Sequence, residues 1–251
     1  MYIHETDVHN TKAAKEVVPI ILNIFNPNAV LDVGCGIGTW LQVFKQKGVK
    51  KIKGIDGNYV NREHLFSHID EQEFQALDLS SPFDINERFD LAICLEVAEH
   101  LPFSSANDFV ESLSKHSDII IFGAAVPGQW GQNHLNEQWT EFWIELFNNR
   151  GYKPYDLLRS LIWDNKNVEW WYKQNILVFS KTTLQLPINS ISYQSVIHPE
   201  HFEQKIVFIE EQNKELATLK SELLLWEESN RGVKKHWVSF YKSIIKKFTY
   251  R

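Results

Sequence analysis

LDVGCGIGTW, residues 31–40, is the most informative segment of this sequence. Glycines 34, 36 and 38 stand between an apolar run and an amphipathic helical pattern. Glycine suits such a turn because a Cβ atom would obstruct the turn and keep a ligand away from the backbone. Loops of this kind usually hold nucleotides at the carboxyl edge of a parallel sheet.

Apolar runs and helical patterns alternate around this loop. Short apolar strands separated by helices predict a parallel sheet with helices on both faces. The last two strands are joined by a segment with less helical pattern, which favours an antiparallel hairpin. Predicted strands are Ala29–Gly34, Lys51–Asp56, Glu73–Leu79, Phe89–Val97, Asp118–Val126, Tyr152–Leu157 and Asn175–Ser180, and predicted helices are Ala13–Phe25, Thr39–Lys47, Ser105–His116 and Gln138–Asn149.

The glycine loop departs from a dinucleotide-binding loop at two positions. Thr39 stands where a third glycine of the dinucleotide pattern is expected, and Asp32 directly precedes the loop. A dehydrogenase cofactor carries an anionic pyrophosphate, which that carboxylate would repel. The acid suits a ligand with an amino group, such as the methionine part of S-adenosylmethionine (SAM).

Further acids follow the next strands. Asp56 ends KIKGID, 20 residues after Gly36, where a carboxylate can accept two hydrogen bonds from ribose hydroxyls. Asp78 in ALDLSS is expected to accept from an adenine amino group, with Leu79 against the ring. Taken singly, Asp56 and Asp78 are also compatible with a turn or helix-cap role. The segment FDLAICLEVAEHL ends by directing Glu96 into the same cleft.

This series of motifs resembles the class I SAM-dependent methyltransferases. The resemblance covers about Val30–Ser180, with motif one at Val30–Gly38 and a post-strand segment at Leu95–His100. It implies SAM as cofactor and a Rossmann-like α/β fold, a seven-stranded mostly parallel sheet with helices on both faces and the last strand antiparallel. The cofactor-binding residues it implies are Asp32, Gly34, Gly36, Gly38, Asp56, Asp78, Leu79, Leu95 and Glu96.

Methyl transfer to a hydroxyl requires an aligned acceptor and a group that removes the proton. GQWGQNHLNEQW, residues 128–139, follows the predicted fifth strand, and loops in that position often carry chemistry. His134 is the first candidate for the base and His100 the second. A surface loop histidine and a structural hydrogen bond at a helix start are their respective alternatives. Glu96 and Glu137 complete the predicted catalytic set.

A metal ion is an open alternative at the same place. Glu96, Glu99, His134 or Glu137 could hold a divalent ion, but no ligand spacing demands one. The predicted site therefore contains no metal ligands.

Aromatic residues suggest the acceptor. Trp163 and the segment VEWWYKQN, residues 168–175, supply flat faces that suit sugar rings, although core packing is the competing interpretation. HLNEQWTEFWIELFNNRGY and WWYKQNILVF resemble bacterial methyltransferases encoded with lipopolysaccharide, capsule or other surface-glycan genes. That resemblance implies a sugar hydroxyl, in a nucleotide-sugar or a growing glycan, as the acceptor. The alternatives are a small-molecule N- or O-methyltransferase of another pathway and a non-catalytic scaffold with the same fold.

The charge and composition of the chain limit the classes of partner and the location that we expect. The 251 residues carry a net charge of −6, but residues 1–230 hold 19 basic and 32 acidic side chains, a net of −13. An acidic body argues against nucleic acid as substrate. Two cysteines form no framework, which indicates a reducing cytoplasm. The polar, acidic start of the chain does not resemble a signal peptide, and no apolar run reaches the roughly 18 residues of a membrane span.

The predicted domains are a methyltransferase domain at 1–181, a polar linker at 182–200 and a C-terminal helix and tail at 201–251. Residues 202–228 predict a helix with one apolar stripe, which could form a homodimer or a short coiled coil. The tail at 236–250 mixes aromatic residues with lysine, as in helices that lie on an anionic membrane surface. We therefore expect a cytoplasmic protein with peripheral membrane contact, with packing of the tail on the acidic body as the alternative.

Overall fold

The computed structural model describes residues 10–184, 195–229 and Ser243, and the chain divides into two units, residues 1–198 and 199–251. The first unit is built on one seven-stranded sheet. Its strands are β1 Ala29–Val33, β2 Lys51–Asp56, β3 Phe74–Ala76, β4 Leu91–Leu95, β5 Ile119–Gly123, β6 Lys153–Tyr155 and β7 Leu177–Ser180.

The strand order is β3-β2-β1-β4-β5-β7-β6. All neighbouring pairs are parallel except those of β7, which runs antiparallel to both β5 and β6. This arrangement confirms the predicted sheet and its antiparallel last strand. The order changes direction between β1 and β4, where open α/β sheets form their ligand crevice at the carboxyl ends of the strands.

Helices cover both faces of the sheet, and each face has its own core. Alternate residues of β4 point to opposite faces, so Leu91 and Ile93 join the first core while Ala92 and Cys94 join the second. The helices of this unit are α1 Lys12–Phe25, α2 Thr39–Gln46, α3 Arg62–His68, α4 Ala106–His116, α5 Thr140–Asn148, α6 Arg159–Ile162 and α7 Trp170–Asn175.

The helices α1 and α2 contribute to the first core, and α4 and α5 contribute to the second. Short 3₁₀ turns lie at Glu71–Glu73, Ala98–His100 and Phe103–Ser105. The α1/α2 side and the α4/α5 side therefore sandwich the sheet, as the alternation of the sequence predicts.

Several predicted strands were too long. The run Phe89–Val97 is paired only over Leu91–Leu95, because Glu96 adopts a left-handed conformation (φ 56°) that ends the extended backbone. The strands β3 and β5 are also shorter than the predicted runs, because the apolar residues of each run continue beyond the last residue that pairs with a neighbouring strand. Apolar character reports burial, whereas a strand also needs a neighbour to bond.

Short helices were missed. The helices α3, α6 and α7 have seven, four and six residues, too few for a clear helical period. Asn175, which was predicted to begin the last strand, belongs to α7 instead.

The second unit contains the long helix α8, Pro199–Ser229. This helix begins inside the predicted linker, and residues 185–194 of that linker lie outside the described part of the chain. The predicted apolar stripe stays a prediction, and the exposed apolar residues of this helix also include Val207, Phe208, Leu224 and Leu225. The tail at 236–250 lies outside the described residues except for Ser243. Among the described helices, none combines the length and the apolar character that crossing a membrane requires.

Candidate active site

The glycine loop between β1 and α2 is a tight turn. Gly34, Gly36 and Gly38 all have positive φ angles, of 81°, 52° and 80°. A Cβ atom on Gly34 would lie 2.3 Å from a methyl carbon of Val97, so a side chain there would push apart the loops that follow β1 and β4. The glycines therefore form the tight turn that the sequence predicts.

Asp56 ties this loop to the end of β2. Its Oδ2 accepts a hydrogen bond from the Gly36 amide at 2.7 Å, and its Oδ1 accepts from the Gly57 amide at 2.6 Å and the Tyr59 hydroxyl at 2.7 Å. Burial raises the pKa of Asp56, and these three hydrogen bonds oppose that rise. Tyr59 is 45% exposed, so its hydroxyl is the partner that a ribose hydroxyl could most readily replace.

Asp32 lies beside Asp56 on the neighbouring strand. Its carboxylate is buried, and no hydrogen bond to it is found among the residues that the structure describes. Burial raises its pKa well above the ordinary value, and the charge of Asp56 raises it further. A buried carboxyl group without a donor is costly. The ammonium group of a ligand would satisfy it, as the sequence argument expects.

Asp78 and Leu79 have structural roles of their own. Oδ1 of Asp78 accepts from the amide and the hydroxyl of Ser80, and these bonds lower the pKa of Asp78. Leu79 is buried in the second core. The amide of Leu77 donates to the carbonyl of Asp56, which keeps this segment next to the end of β2. The turn role of Asp78 is thus observed, and its adenine contact stays a prediction.

Amide side chains hold Glu96 in place after β4. Its Oε1 accepts from Asn175 Nδ2 at 2.9 Å, and its Oε2 accepts from Gln129 Nε2 at 2.8 Å. Asn175 Nδ2 also donates to Gln129 Oε1 at 2.9 Å. Burial raises the pKa of Glu96, and the two amides act against it. The neighbouring Leu95 is half-buried and packs against the first core.

This amide network was not predicted from the sequence. Gln129, Gln174 and Asn175 form it, and Gln174 Nε2 donates to Asn175 Oδ1 at 3.1 Å. The sheet topology offers a signal that could have found it. The strand β7 runs antiparallel to β5, so residues that precede β7 lie beside the carboxyl end of β5.

Glu137 organises the loop at 128–139. Its Oε2 accepts from the Gly128 amide, and its Oε1 accepts from the Trp130 amide, each at 2.7 Å. The same Oε1 lies 2.8 Å from His134 Nδ1. Both oxygens of Glu137 are therefore used to position the loop and the histidine, and its predicted catalytic role stays a prediction.

His134 lies next to His100 and Glu99. The two imidazole rings meet edge to face, with centroids 4.9 Å apart. The amides of Leu135 and Asn136 donate to the carbonyl oxygen of Glu99, which fixes the loop against the turn that follows β4. The structure thus brings together the predicted catalytic residues from two distant segments.

Glu99 is fully buried in this cluster. The Ala125 amide and the carboxyl group of Glu96 lie near its oxygens, but within the described residues neither oxygen has a hydrogen bond of good geometry. Burial raises the pKa of Glu99 well above its ordinary value, and the charge of Glu96 adds to the rise.

The predicted aromatic cluster is mostly packed inside the fold. Trp170 is buried and meets Trp171 edge to face, and Tyr172 packs against Trp40 of α2 with centroids 5.3 Å apart. These contacts join α7 to the helix that follows the glycine loop. The exposed tryptophans of this region lie instead in the loop at 128–139, where Trp130 is 53% and Trp139 is 46% exposed.

Comparison with known structures supports the fold. A sugar N-methyltransferase, KedS8 from Streptoalloteichus sp. ATCC 53650, is 13% identical with a TM-score of 0.53, covering 73% of this chain and 99% of its own. CalS10, an amino pentose methyltransferase from Micromonospora echinaspora with SAM bound, is 14% identical with a TM-score of 0.53, covering 72% and 99%. DesVI from Streptomyces venezuelae is 12% identical with a TM-score of 0.55, covering 72% and 100%.

At these identities the three structures establish the fold and not the substrate. A search among curated proteins finds no significant match. A family model described as a methyltransferase domain matches residues 4–166, which is more than half of the chain and contains the glycine loop, Asp56 and the His100–His134 cluster. The chain therefore belongs to this methyltransferase family and is a SAM-dependent methyltransferase.

Proposed function

We propose that this enzyme methylates a hydroxyl group of a sugar, carried on a nucleotide or in a surface glycan. The observation on which the proposal rests is the pairing of His134 with Glu137 beside His100 and Glu99, at the edge of the sheet that holds the cofactor residues. A neutral amine already has a lone pair that can attack, so its methylation depends less on such a group than methylation of a hydroxyl does.

The cofactor supplies an electrophilic methyl group on a sulfonium. The cofactor would be held by Asp32, the glycine loop and Asp56. The buried carboxyl group of Asp32 suits the amino group of SAM, and Asp56 suits its ribose. Their burial keeps water away from the reacting atoms, which strengthens the electrostatic contacts there.

The acceptor hydroxyl must lose its proton during the attack, because a neutral hydroxyl is a weak nucleophile. Glu137 accepts the Nδ1 proton of His134, which leaves Nε2 to take a proton from the acceptor. General base catalysis of this kind contributes a factor of about 10² to 10⁴ in rate.

The choice of a sugar has three supports. Two structural neighbours act, by their names, on sugars. Exposed Trp130 and Trp139 offer flat apolar faces beside amide groups, the combination that suits a sugar ring. The sequence resemblance to surface-glycan methyltransferases points the same way.

A panel of nucleotide-sugars tests the proposal, with labelled SAM and mass spectrometry of the products. We expect a methyl ether, formed about 100-fold more slowly by His134→Ala. His64→Ala is the matched control, because His64 is an exposed histidine on α3, far in sequence from the loop, and its rate should equal that of wild type.

Transfer to amino groups alone, with His134→Ala as fast as wild type, would contradict hydroxyl methylation. That result would favour the second candidate, a sugar N-methyltransferase, which the name of one neighbour suggests.

The proposed role of the C-terminal unit is to place the enzyme at a membrane and to form a dimer. We propose peripheral contact of residues 236–250 with an anionic membrane and homodimerisation through residues 202–228. Equal, weak binding of full-length protein and a variant ending at Asn230 to anionic vesicles would exclude the membrane contact. A monomeric mass in solution would exclude the dimer.

A further inference from the structure

We propose that Glu99, His100 and His134 bind a divalent transition-metal ion. One ligand atom from each residue lies within 4.8 Å of those from the other two. The cluster is the one to which the proposed function assigns proton removal, but binding of the ion does not depend on the identity of the acceptor.

Glu99 is the first reason for an ion. A fully buried carboxyl group whose two oxygens lack hydrogen bonds of good geometry, among the described residues, is unusual in a folded protein. The Ala125 amide and the carboxyl group of Glu96 are close to it, and Glu96 also accepts from Gln129 and Asn175. A cation would give Glu99 a strong partner and would offset the repulsion between the two acids.

His134 is the second reason. Metal-binding histidines typically donate their other ring nitrogen to a carboxylate, which fixes the ring and increases the basicity of the ligand nitrogen. Glu137 occupies Nδ1 of His134 in this way, and Nε2 remains for an ion. Gly131 leaves room for the ring, since a Cβ atom at residue 131 would lie 2.2 Å from Nε2.

The donor set determines the class of ion. Two imidazoles and one carboxylate suit first-row transition metals such as Zn²⁺, Mn²⁺ or Fe²⁺. Mg²⁺ and Ca²⁺ prefer oxygen ligands throughout. We therefore expect Zn²⁺ to bind more tightly than Mn²⁺ and Mn²⁺ more tightly than Mg²⁺, the order that mixed nitrogen and oxygen sites give.

An ion at this place would change the role of His134. A metal ion polarises a hydroxyl that contacts it and lowers the pKa of that hydroxyl. His134 would then contribute a ligand through Nε2 and could not take the proton there. The ion would lower the pKa of the acceptor hydroxyl, and its proton would leave to water.

The test is a titration of chelator-treated, full-length protein with ZnCl₂ and, separately, with MnCl₂. Calorimetry gives the stoichiometry and affinity, and the electron paramagnetic resonance signal of free Mn²⁺ gives an independent measure. We expect one ion per chain for wild type and for His64→Ala. Glu99→Gln and His100→Ala should lose binding, and Glu137→Gln should weaken it about 10- to 100-fold.

Thermal unfolding distinguishes a variant that has lost the metal site from one that fails to fold. Glu99→Gln keeps the shape of the buried side chain, so without metal it should unfold at the temperature of wild type or higher. Adding Zn²⁺ should raise the unfolding temperature of wild type and leave that of Glu99→Gln unchanged. Equal affinity for the ions in wild type and in Glu99→Gln, or no binding by wild type, would overturn the metal site.

The outcomes separate this inference from the proposed function. Tight binding of one ion without methylation of any sugar hydroxyl would contradict only the proposed function. Sugar methylation at full rate after chelator treatment, by a protein that binds no ion, would contradict only the metal site.

Discussion

The cofactor half and the acceptor half of the site are built by different means. At the ends of β1 and β2, backbone geometry makes the site: glycines turn the chain, and Asp56 bonds the amides of Gly36 and Gly57. At the ends of β4 and β5, side chains make it: Glu96, Gln129 and Asn175 bond one another from three separate segments. A site made by local backbone can be recognised from a short motif, whereas a side-chain network depends on the whole fold.

Asp56→Ala should have the largest effect, because one side chain serves both the loop and the ligand. Hydrogen bonds to a charged group contribute about 1.5–3 kcal/mol each, so losing two ribose bonds should weaken SAM binding about 1,000-fold. Calorimetric titration of SAM measures this. Unchanged affinity would show that the cofactor half does not use the acid of β2.

Tyr59→Phe is the matched control for that variant. It removes the one side-chain donor to Asp56 that the described residues supply and keeps the two backbone amides. SAM affinity should stay equal or rise slightly, because the ribose no longer competes with the Tyr59 hydroxyl. A loss as large as that of Asp56→Ala would assign the effect to the tyrosine instead.

Gly131→Ala tests the acceptor half alone. The added methyl group would meet the His134 ring and displace it. We expect methyl transfer to fall about 100-fold, the range in which general base catalysis operates, with SAM affinity unchanged. Turnover and SAM titration on the same preparation check both parts.

Gly128→Ala separates displacement of His134 from general disturbance of the loop. Gly128 has a φ of 82°, and a Cβ atom added there would have no neighbour within 4 Å among the described residues. Alanine therefore strains the backbone at this position without touching the histidine. Its rate should fall less than that of Gly131→Ala, because the Gly128 amide can keep its bond to Glu137. Equal losses in both glycine variants would indicate that loop order matters and not the position of the ring.

Asn175→Ala addresses the network that joins the two loops. It removes donors to both Glu96 and Gln129 and leaves a buried carboxylate with one partner fewer. The free energy of unfolding should fall by about 1–3 kcal/mol, measured by urea titration. Asn167→Ala, which breaks an exposed hydrogen bond to Glu16, should cost less than about 1 kcal/mol. Equal losses would mean that the network stabilises the protein no more than a surface contact does.

The same contrast explains what the sequence could predict. The sheet, its antiparallel last strand and the glycine turn follow from local patterns, and the structure has all of them. Gln129 and Asn175 carry no local signal, since amides are common in loops and at helix ends. Their meeting depends on the pairing of β5 with β7, which no short segment encodes.

The sequence also indicated which histidines could belong to the site, but not how they are arranged. His100 and His134 were selected as single candidates, each with a structural alternative, and the sequence does not indicate that their rings touch. The position of Glu99, between these histidines and Glu96, was not predictable either. The residues next to an acid in the sequence do not show whether the acid is buried.

Asp32→Asn provides the smallest expected effect, and its sign depends on pH. The pKa of Asp32 is raised in the folded protein, by burial first and then by the charge of Asp56 on β2. The thiols of Cys35 and Cys94, which also face this carboxyl, have raised pKa values for the same reason and stay neutral. Between the unfolded and the folded pKa of Asp32, the folded state therefore holds more protons than the unfolded state.

The contribution of Asp32 to stability is consequently complete below the unfolded pKa and declines as the pH rises towards the folded pKa. Asp32→Asn should remove this decline, so that the cofactor-free variant is at least as stable as wild type at neutral pH. SAM should reverse the order, because its amino group pairs with the ionised carboxylate and wild type alone gains that contact. Urea titrations at several pH values, with and without SAM, measure both effects. A variant that loses stability at neutral pH without SAM, or that gains as much from SAM as wild type, would show that Asp32 serves the fold and not the cofactor.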